Sequence, residues 1–260
     1  MSKTAVITGA TSGIGAVYAR RFAQQGYDLI ITGRKKEVIQ KLADDISARN
    51  KVKVTVIIAE FAKDGDIQKV LDAVKGRDDV EVLINNAGQS GYDRHFEELD
   101  IAEHENLVKV HEIAPMRLIS VVLPGMIQRK KGTIINVASI AGFLPLPSLS
   151  VYCGVKAFLK LYTQCLHLEL RDKGIKVQAL CPGYTNTNWG KEYFSQRLQD
   201  EPSMMKGMDP EKVVDYSLKA LKKNKWVCVP GMSNRMMTTF LPSASGGMYY
   251  SMGKRMTPFR

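Results

Sequence analysis

The pattern of apolar and polar positions alternates between two periods along the chain. Short β-branched runs predict strands near residues 4–8, 28–32, 52–59, 81–84, 132–138, 175–180 and 226–229. Apolar positions at helical spacing predict helices near residues 14–25, 35–49, 66–75, 101–129, 150–173 and 210–223. Such alternation is typical of βαβ units in a parallel sheet covered on both faces. We therefore expect one α/β domain over residues 1–260, with a doubly wound parallel sheet of about seven strands flanked by helices.

Two regions do not follow this alternation. Residues 186–208 come after the sixth predicted strand and are rich in aromatic residues and Met, which predicts a substrate lid. The side chains there that suit an apolar substrate are Trp189, Tyr193, Phe194, Met204 and Met205. The C-terminal tail, residues 231–260, is rich in Met, Gly, Ser and Arg and has weak periodicity. Both regions are candidates for mobile or substrate-covering segments.

Charge and hydropathy narrow the classes of function. The formal net charge is +11, but the basic residues are dispersed, and their short clusters lie near predicted helix ends, where cations complement the helix dipole. We therefore expect no nucleic-acid binding. No apolar run reaches the ~18 residues of a spanning helix, so we expect no stable membrane insertion.

Cysteine and histidine spacing predicts neither disulfides nor a metal site. The cysteines are widely separated and form no CxxC pair, which is typical of reduced thiols that fill core space. His95, His104 and His167 show no ligand spacing. The first predicted strand begins at Thr4, which leaves no space for a signal peptide, so we expect a cytoplasmic location.

A glycine-rich turn follows the first predicted strand and leads directly into a helix. Glycine lets backbone N–H groups approach a pyrophosphate closely, and the helix N-terminus favours negative charge. Its position between a strand and a helix predicts a dinucleotide site, although the spacing differs from the usual G-x-G-x-x-G. The candidate cofactor-binding residues here are Gly9, Thr11, Ser12, Gly13, Ile14 and Gly15.

The end of the second predicted strand indicates which dinucleotide is bound. A carboxylate at this point would bind the ribose 2′-hydroxyl of NAD, whereas an arginine accommodates the 2′-phosphate of NADP. Arg34 and Lys35 stand here and no acidic residue does. Since guanidinium binds phosphate readily, Arg34 predicts NADP(H) in preference to NAD(H). The alternative is that Arg34 is simply a solvated residue.

Three further residues predict proton-transfer chemistry. Tyr152 and Lys156 are four residues apart in a predicted helix and therefore share one face. A nearby ammonium would lower the pKa of the phenol toward the range of an efficient acid or base. Ser139 follows the fifth strand, at the carboxyl edge where open α/β sheets bind ligands, and its hydroxyl could polarise a substrate carbonyl.

Together these motifs resemble, in order, those of the short-chain dehydrogenase/reductase family. The glycine loop is similar to its cofactor loop, and Ser139, Tyr152 and Lys156 match its catalytic residues, with a Ser-to-Tyr separation of 13 residues. The resemblance covers about residues 4–230 and is strongest to the classical type and the broad group of general bacterial short-chain dehydrogenases. It implies a single Rossmann-type NAD(P)-binding domain.

The resemblance also implies further cofactor contacts. The segment after the fourth strand looks like the one that lines the cofactor, and the segment after the sixth looks like the nicotinamide-side loop. The residues concerned are Asn86, Ala87, Gly88, Pro182, Gly183, Thr185 and Thr187, with Tyr152 and Lys156 on the ribose side. A homodimer or homotetramer, packed through the long helices 101–129 and 150–173, is common in the family.

Two positions depart from the family pattern. His111 stands where an Asn usually holds a water of the proton relay; a neutral imidazole can donate and accept, so His111 either joins the relay or only preserves packing. Glu60 and Phe61 stand where an Asp commonly lies beside the adenine. Contact with adenine through Glu60 or the Phe61 backbone is expected, and a solvent-facing Glu60 is the alternative.

The resemblance implies an NADP(H)-dependent oxidoreductase. It would transfer a hydride between nicotinamide and a carbonyl or secondary alcohol of a small, lipophilic molecule, with Tyr152 as general acid/base, Ser139 polarising the carbonyl, and Lys156 tuning Tyr152 and binding ribose. One alternative is a catalytically weak NADP(H)-binding regulator or scaffold. Another is a role of the tail at a membrane surface or a protein interface.

Overall fold

A parallel sheet forms the centre of the molecule. The computed structural model describes residues 3–89, 95–187, 207–243 and 245–256. The described strands are β1 Thr4–Ile7, β2 Asp28–Gly33, β3 Val54–Ile58, β4 Val80–Asn85, β5 Gly132–Val137, β6 Ile175–Leu180 and β7 Val227–Cys228. They form one seven-stranded sheet in the order β3-β2-β1-β4-β5-β6-β7, and every neighbouring pair is parallel. The predicted fold class is confirmed.

Helices cover both faces of this sheet. They are α1 Gly13–Gln24, α2 Lys36–Asn50, α3 Asp64–Val74, α4 Ile101–Val108, α5 Ala114–Gln128, α6 Ser150–Leu170, α7 Pro210–Lys222, α8 Met232–Phe240 and α9 Gly246–Met256. Alternate strand residues point to opposite faces. Ile7 and Ile31 pack with α1, α2 and α7, whereas Val6 and Ile30 pack with α3, α5 and α6. Burial on both faces explains why the strands are apolar throughout.

The strand order creates a crevice at one edge of the sheet. The chain passes outward from β1 through β2 to β3 and then returns to the other side of β1 as β4. The connections after β1 and β4 therefore leave in opposite directions. Open α/β sheets bind ligands at the carboxyl edge where this reversal occurs.

The long helix predicted near 101–129 is interrupted. A π-helical turn, Lys109–Ile113, separates α4 from α5. Pro115 explains the interruption, because it has no N–H to donate to the carbonyl of His111 and its ring crowds that carbonyl. Taken together, α4, the π-helical turn and α5 form one helical stretch, Ile101–Gln128. Within the described part of the chain, it is the one helix long and apolar enough to cross a bilayer, and 44% of its most apolar 18-residue segment is buried inside the protein.

The C-terminal tail contains two helices that its weak periodicity did not predict. α8 and α9 follow β7, which is shorter than the predicted 226–229 and spans only Val227–Cys228. The apolar residues Met232, Met236 and Phe240 of α8 recur every four residues and are exposed.

A buried polar chain ties α1, α7 and β6 together. Tyr18, on α1, donates to Ser217 Oγ at 2.6 Å, and Ser217 donates to Gln178 Oε1 at 2.6 Å. All three residues are fully buried. A buried polar group costs little only while it is hydrogen-bonded, so Ser217 is the residue on which both neighbours depend.

Ser217→Ala is expected to destabilise the fold more than Tyr18→Phe. The serine change orphans both the Tyr18 hydroxyl and Gln178 Oε1 and costs ~1–3 kcal/mol, whereas the tyrosine change removes a single bond and costs ~0.5–1.5 kcal/mol. Urea denaturation measures both. The double variant should lose less than the sum of the two single losses; strict additivity would contradict the coupled chain.

Candidate functional site

Four strand ends bring the predicted site residues to one edge. The glycine loop follows β1, Asn86 follows β4, Ser139 follows β5, and Pro182 follows β6. Because parallel strands end together, these segments line the same crevice. The structure therefore gathers at one edge motifs that are more than 170 residues apart in the sequence.

Asn86 holds the glycine loop in place. Its side-chain amide donates to Thr8 O at 3.0 Å and to Gly9 O at 2.9 Å. Thr8 Oγ1 in turn accepts from the backbone N–H groups of Asn86 and Ala87, both at 2.9 Å. These reciprocal bonds lock the end of β1 to the end of β4, so the loop conformation is fixed by the sheet.

The glycines keep this cradle open. Gly9 and Gly13 have φ of +66° and +56°, a region that favours glycine. A Cβ on Gly13 would lie 2.6 Å from the Thr187 methyl, so Thr187 sits directly over the loop. Ser12 is exposed and its side chain makes no capping bond to α1. Ser12 and the first turn of α1 therefore remain available to an anionic group.

The remaining residues of the loop take different positions. Thr11 is half-buried and lies against Gly33, at the end of β2, while Ile14 packs on the core beneath α1. A Cβ on Gly15 would lie 2.4 Å from Gly9 O, so the helix starts in close contact with the loop. This is the close approach that a pyrophosphate site requires.

Arg34 follows Gly33, which lies against Thr11 of the glycine loop. It follows β2 directly, and both Arg34 and Lys35 are exposed. The four residues Gly33 to Lys36 include no carboxylate that could bind a ribose 2′-hydroxyl. Basic donors beside the glycine loop fit a 2′-phosphate.

Glu60 and Phe61 have separate environments. Glu60 pairs with Lys63 at 3.0 Å, and its backbone N–H donates to Asp66 at 2.9 Å. The Phe61 side chain is buried in the core on the α3 side of the sheet. Of Phe61, only the backbone can therefore face a ligand, and the adenine contact through Glu60 or the Phe61 backbone remains a prediction.

Ser139, Tyr152 and Lys156 meet at the carboxyl edge of β5. Ser139 Oγ accepts from Ala141 N–H at 3.1 Å, and its side chain is hydrogen-bonded to the Tyr152 phenol. Lys156 Nζ donates to Val137 O at 2.8 Å and lies 5.7 Å from the centre of the Tyr152 ring. The first two turns of α6 thus place Tyr152 and Lys156 together, as their spacing predicts.

The pKa values of Tyr152 and Lys156 are both shifted. Burial raises the pKa of Tyr152 to about 12, and the hydrogen bond with Ser139 opposes that rise. Lys156 is itself buried, which lowers its own pKa from 10.5 to about 7. Burial is the largest cause of the shift at both groups. The expected lowering of the Tyr152 pKa by Lys156 stays a prediction.

His111 lies against Tyr152, in the π-helical turn. The two rings are 5.9 Å apart at an angle of 87°. His111 Nε2 is 2.9 Å from Gln89 O, whereas Nδ1 is buried with no hydrogen-bond partner in the part of the chain described. Burial, with the nearby Lys156, keeps the pKa of His111 well below its ordinary value, so the imidazole is neutral. A neutral ring with a free nitrogen can hold a water or a polar ligand atom.

His111 also supports the segment after β4. Its Cε1 would be 2.7 Å from a Cβ on Gly88, and Gln89 N lies 3.3 Å from Nε2. Ala87 is half-buried and packs on the core. One ring therefore contacts both the cofactor-side segment and Tyr152, a link that the sequence did not reveal.

The segment after β6 is stabilised from two sides. Pro182 O accepts from Ile140 N–H at 3.0 Å, and Thr185 Oγ1 donates to Gly183 O at 3.0 Å. A Cβ on Gly183 would lie 2.6 Å from Asn234 Oδ1, so α8 packs on this segment. Asn234 carried no motif, and only the fold shows its place at the site.

The predicted lid falls largely outside the described residues. Residues 188–206, which include Trp189, Tyr193, Phe194, Met204 and Met205, are not among them. The ends of the region are joined, since Asn186 N–H donates to Met208 O and Met208 N–H donates to Tyr184 O, both at 2.9 Å. Among the described residues, no group of three or more His, Cys, Asp or Glu side chains could hold a metal ion.

Comparisons of the sequence and of the structure with known proteins indicate the same family. The family described as short chain dehydrogenase matches residues 3–198. A solved short-chain dehydrogenase from Sphingobium yanoikuyae in complex with NADPH is 30% identical, with a TM-score of 0.81, and the match covers 99% of this chain and 96% of that one.

Curated relatives include both an enzyme and an inactive protein. The very-long-chain 3-oxoacyl-CoA reductase of Bos taurus is 32% identical over 226 residues, which are 85% of this chain and 69% of that protein. The inactive hydroxysteroid dehydrogenase-like protein 1 of Homo sapiens is 36% identical over 186 residues, which are 71% of this chain and 56% of that protein. Overall similarity alone therefore does not separate an active from an inactive member.

Replacing Lys156 by Met tests the burial of its amine. With a folded pKa of about 7 and an ordinary value of 10.5, the unfolded chain binds more protons between these values. Lys156 therefore makes unfolding free energy rise with pH in this window, and its burial is most costly below pH 7. At each pH, the melting temperature of wild type is subtracted from that of Lys156→Met. This difference should be more positive at pH 6 than at pH 9, by ~5 °C or more.

Exposed Lys219 provides the matched control for this measurement. Lys219→Met should show the same offset from wild type at both pH values. An offset for Lys156→Met that does not change with pH would contradict a depressed pKa.

Proposed function

Because the chain belongs to the short-chain dehydrogenase family, we propose that it is an NADP(H)-dependent oxidoreductase. Its reaction transfers a hydride between nicotinamide and a carbonyl or secondary alcohol of a small, lipophilic molecule. The observation that carries this proposal is the meeting of Ser139, Tyr152 and Lys156 beside the glycine cradle. The name of the Bos taurus relative, a reductase of very-long-chain 3-oxoacyl-CoA, supports a lipophilic substrate.

The cradle fits a dinucleotide phosphate. Positive φ at Gly9 and Gly13, the N-terminus of α1 and the Ser12 hydroxyl, which makes no capping bond to α1, suit the pyrophosphate. Arg34, beside Thr11, would bind the 2′-phosphate, and its guanidinium forms charge-assisted bonds that a neutral hydroxyl would not offer. Asn86, Ala87 and Gly88 would line the ribose side, with Pro182, Gly183, Thr185 and Thr187 on the nicotinamide side. Bound NADPH would supply the hydride.

Tyr152 supplies the proton. Its pKa of about 12 keeps it a neutral phenol across the neutral pH range, which is the form that donates to the oxygen of a carbonyl undergoing reduction. The Ser139 hydroxyl donates to the same oxygen and stabilises the negative charge that develops there. This protonation state favours the reductive direction.

Lys156 and His111 complete the proton path. Lys156 would bind the ribose, and its amine can exchange a proton near neutral pH because its pKa is about 7. His111 Nδ1, which has no partner among the described residues, would hold the water that connects Lys156 to solvent. Water-linked donors of this kind can return a proton to Tyr152 after each turnover.

A catalytically weak NADP(H)-binding regulator is the second candidate. The similarity to an inactive hydroxysteroid dehydrogenase-like protein and the departure at His111 favour it. The position of Tyr152 beside both Ser139 and Lys156 favours the enzyme. NADPH binding without turnover of any carbonyl would support the regulator.

We also propose a cytoplasmic homodimer or homotetramer. The four cysteines are free thiols, three of them buried, as is usual in a reducing compartment. α6 exposes Leu161 at 61% and Leu168 at 55%, and a second copy packed on α6 would cover them.

Tyr152→Phe is expected to abolish turnover while preserving the cofactor site. The change keeps the ring that packs on His111 and removes only the proton donor. In an NADPH-oxidation assay with lipophilic ketones, kcat should fall ~10²–10⁴-fold, and the NADPH dissociation constant should stay within about threefold. Equal turnover by wild type and variant would contradict the role of Tyr152.

Arg34→Ala is expected to remove the preference for NADPH. Losing a charge-assisted contact to phosphate should weaken NADPH binding ~10–100-fold and leave NADH binding unchanged, as measured by nucleotide fluorescence. The control is Arg20→Ala, since Arg20 is equally exposed but lies on α1. If wild type binds NADH as tightly as NADPH, the assignment of the cofactor fails.

A further inference from the structure

The helix α8 is amphipathic, but its polar side chains face the protein and its apolar side chains are exposed. Its face against the protein carries Asn234 and Thr238, whose side chains bond to the backbone of the tail itself. Its outer face exposes Met232 at 70%, Met236 at 56% and Phe240 at 69%. A surface helix of a soluble protein normally turns its apolar stripe inward, so this stripe needs another partner.

The apolar exposure continues into α9 and is joined by positive charge. Met237 on α8 and Met248 and Tyr250 on α9 are exposed as well. Arg235 is also on α8 and exposed, and its guanidinium donates to Val229 O at 2.9 Å. We call these side chains the tail surface: Met232, Arg235, Met236, Met237, Phe240, Met248 and Tyr250.

The sequence around the tail surface contains no acidic residue. After Asp215 the chain has no Asp or Glu, although it continues for 45 residues. The basic residues in this stretch are Lys219, Lys222, Lys223, Lys225, Arg235, Lys254, Arg255 and Arg260. These 45 residues therefore carry eight basic side chains and no acidic one, which is eight of the eleven units of net positive charge in the sequence.

This combination fits an anionic lipid surface better than a second copy of the chain. Exposed Met and Phe can enter the boundary of the acyl chains, while basic side chains remain at the head groups of anionic lipids. A symmetric contact between two tail surfaces would bring the same positive charges together without any acidic partner, which is unfavourable.

We propose that the tail surface binds the protein peripherally to anionic lipid bilayers. This inference does not depend on the proposed reaction, because it concerns binding alone. Asn234 packs α8 directly on Gly183, so attachment through α8 would hold the carboxyl edge of the sheet close to the membrane. A lipophilic molecule could then reach that edge from the bilayer.

Vesicle co-sedimentation of the full chain tests the proposal. The probes are vesicles of phosphatidylcholine alone and of phosphatidylcholine with 30% phosphatidylglycerol, at low and at ~150 mM salt. Wild type should bind the anionic vesicles at least ~10-fold more tightly than the neutral ones, and salt should weaken that binding. Failure to bind anionic vesicles, or equal binding to both kinds, would overturn the proposal.

Paired variants separate the apolar and the charged contributions. Met236→Ser with Phe240→Ser should weaken binding to anionic vesicles at least ~10-fold, because two inserting side chains are lost. Arg235→Gln should weaken it ~3–10-fold and reduce its dependence on salt. The control is Val38→Ser, since Val38 is 47% exposed on α2, and it should bind as wild type does.

Folding and assembly are measured on the same variants. Circular dichroism melts should match wild type within a few degrees, since the changed side chains are exposed. Light scattering without lipid should give an unchanged mass. The proposal would be overturned if the variant with both Met236→Ser and Phe240→Ser bound lipid normally but had a smaller assembly mass. That result would assign the tail surface to contact between copies of the chain.

Discussion

The amide of Asn86 sets the constraint on which the site depends. By donating to both Thr8 O and Gly9 O, it joins the end of β1 to the end of β4 at the point where the strand order reverses. The glycine loop, the first turn of α1 and the segment Ala87–Gly88 take their positions from this junction. A cofactor bound here would contact backbone groups that the central strands hold rigid, so little ordering cost would accompany binding.

Burial decides the protonation states on the other side of the crevice. It raises the pKa of Tyr152, lowers that of Lys156 and keeps His111 neutral. The same desolvation strengthens any hydrogen bond formed to a substrate oxygen. The site thus holds a neutral acid, a hydroxyl donor and an amine that titrates near neutral pH, which is a set suited to protonating an oxyanion.

The sequence predicted the strands, the order of the motifs and the residues that gather at the carboxyl edge, because each follows from local periodicity or from spacing along one helix. Contacts that depend on packing between distant elements were not predictable. Gln89 contacts His111 across 22 residues of sequence, and Asn234, on α8, contacts Gly183 after β6. The burial that shifts the pKa values of Tyr152 and Lys156 was not predictable for the same reason, since spacing reveals proximity but not burial.

Hydride transfer from NADPH is measured by incubating the protein with 4-deuterated NADPH and a lipophilic ketone and analysing the alcohol by mass spectrometry. We expect one deuterium on the carbinol carbon with a single stereochemistry, and no labelled product from a protein that lacks the Tyr152 hydroxyl. Tight NADPH binding with no deuterium transferred to any ketone would contradict it and leave a nucleotide-binding protein without the proposed reaction.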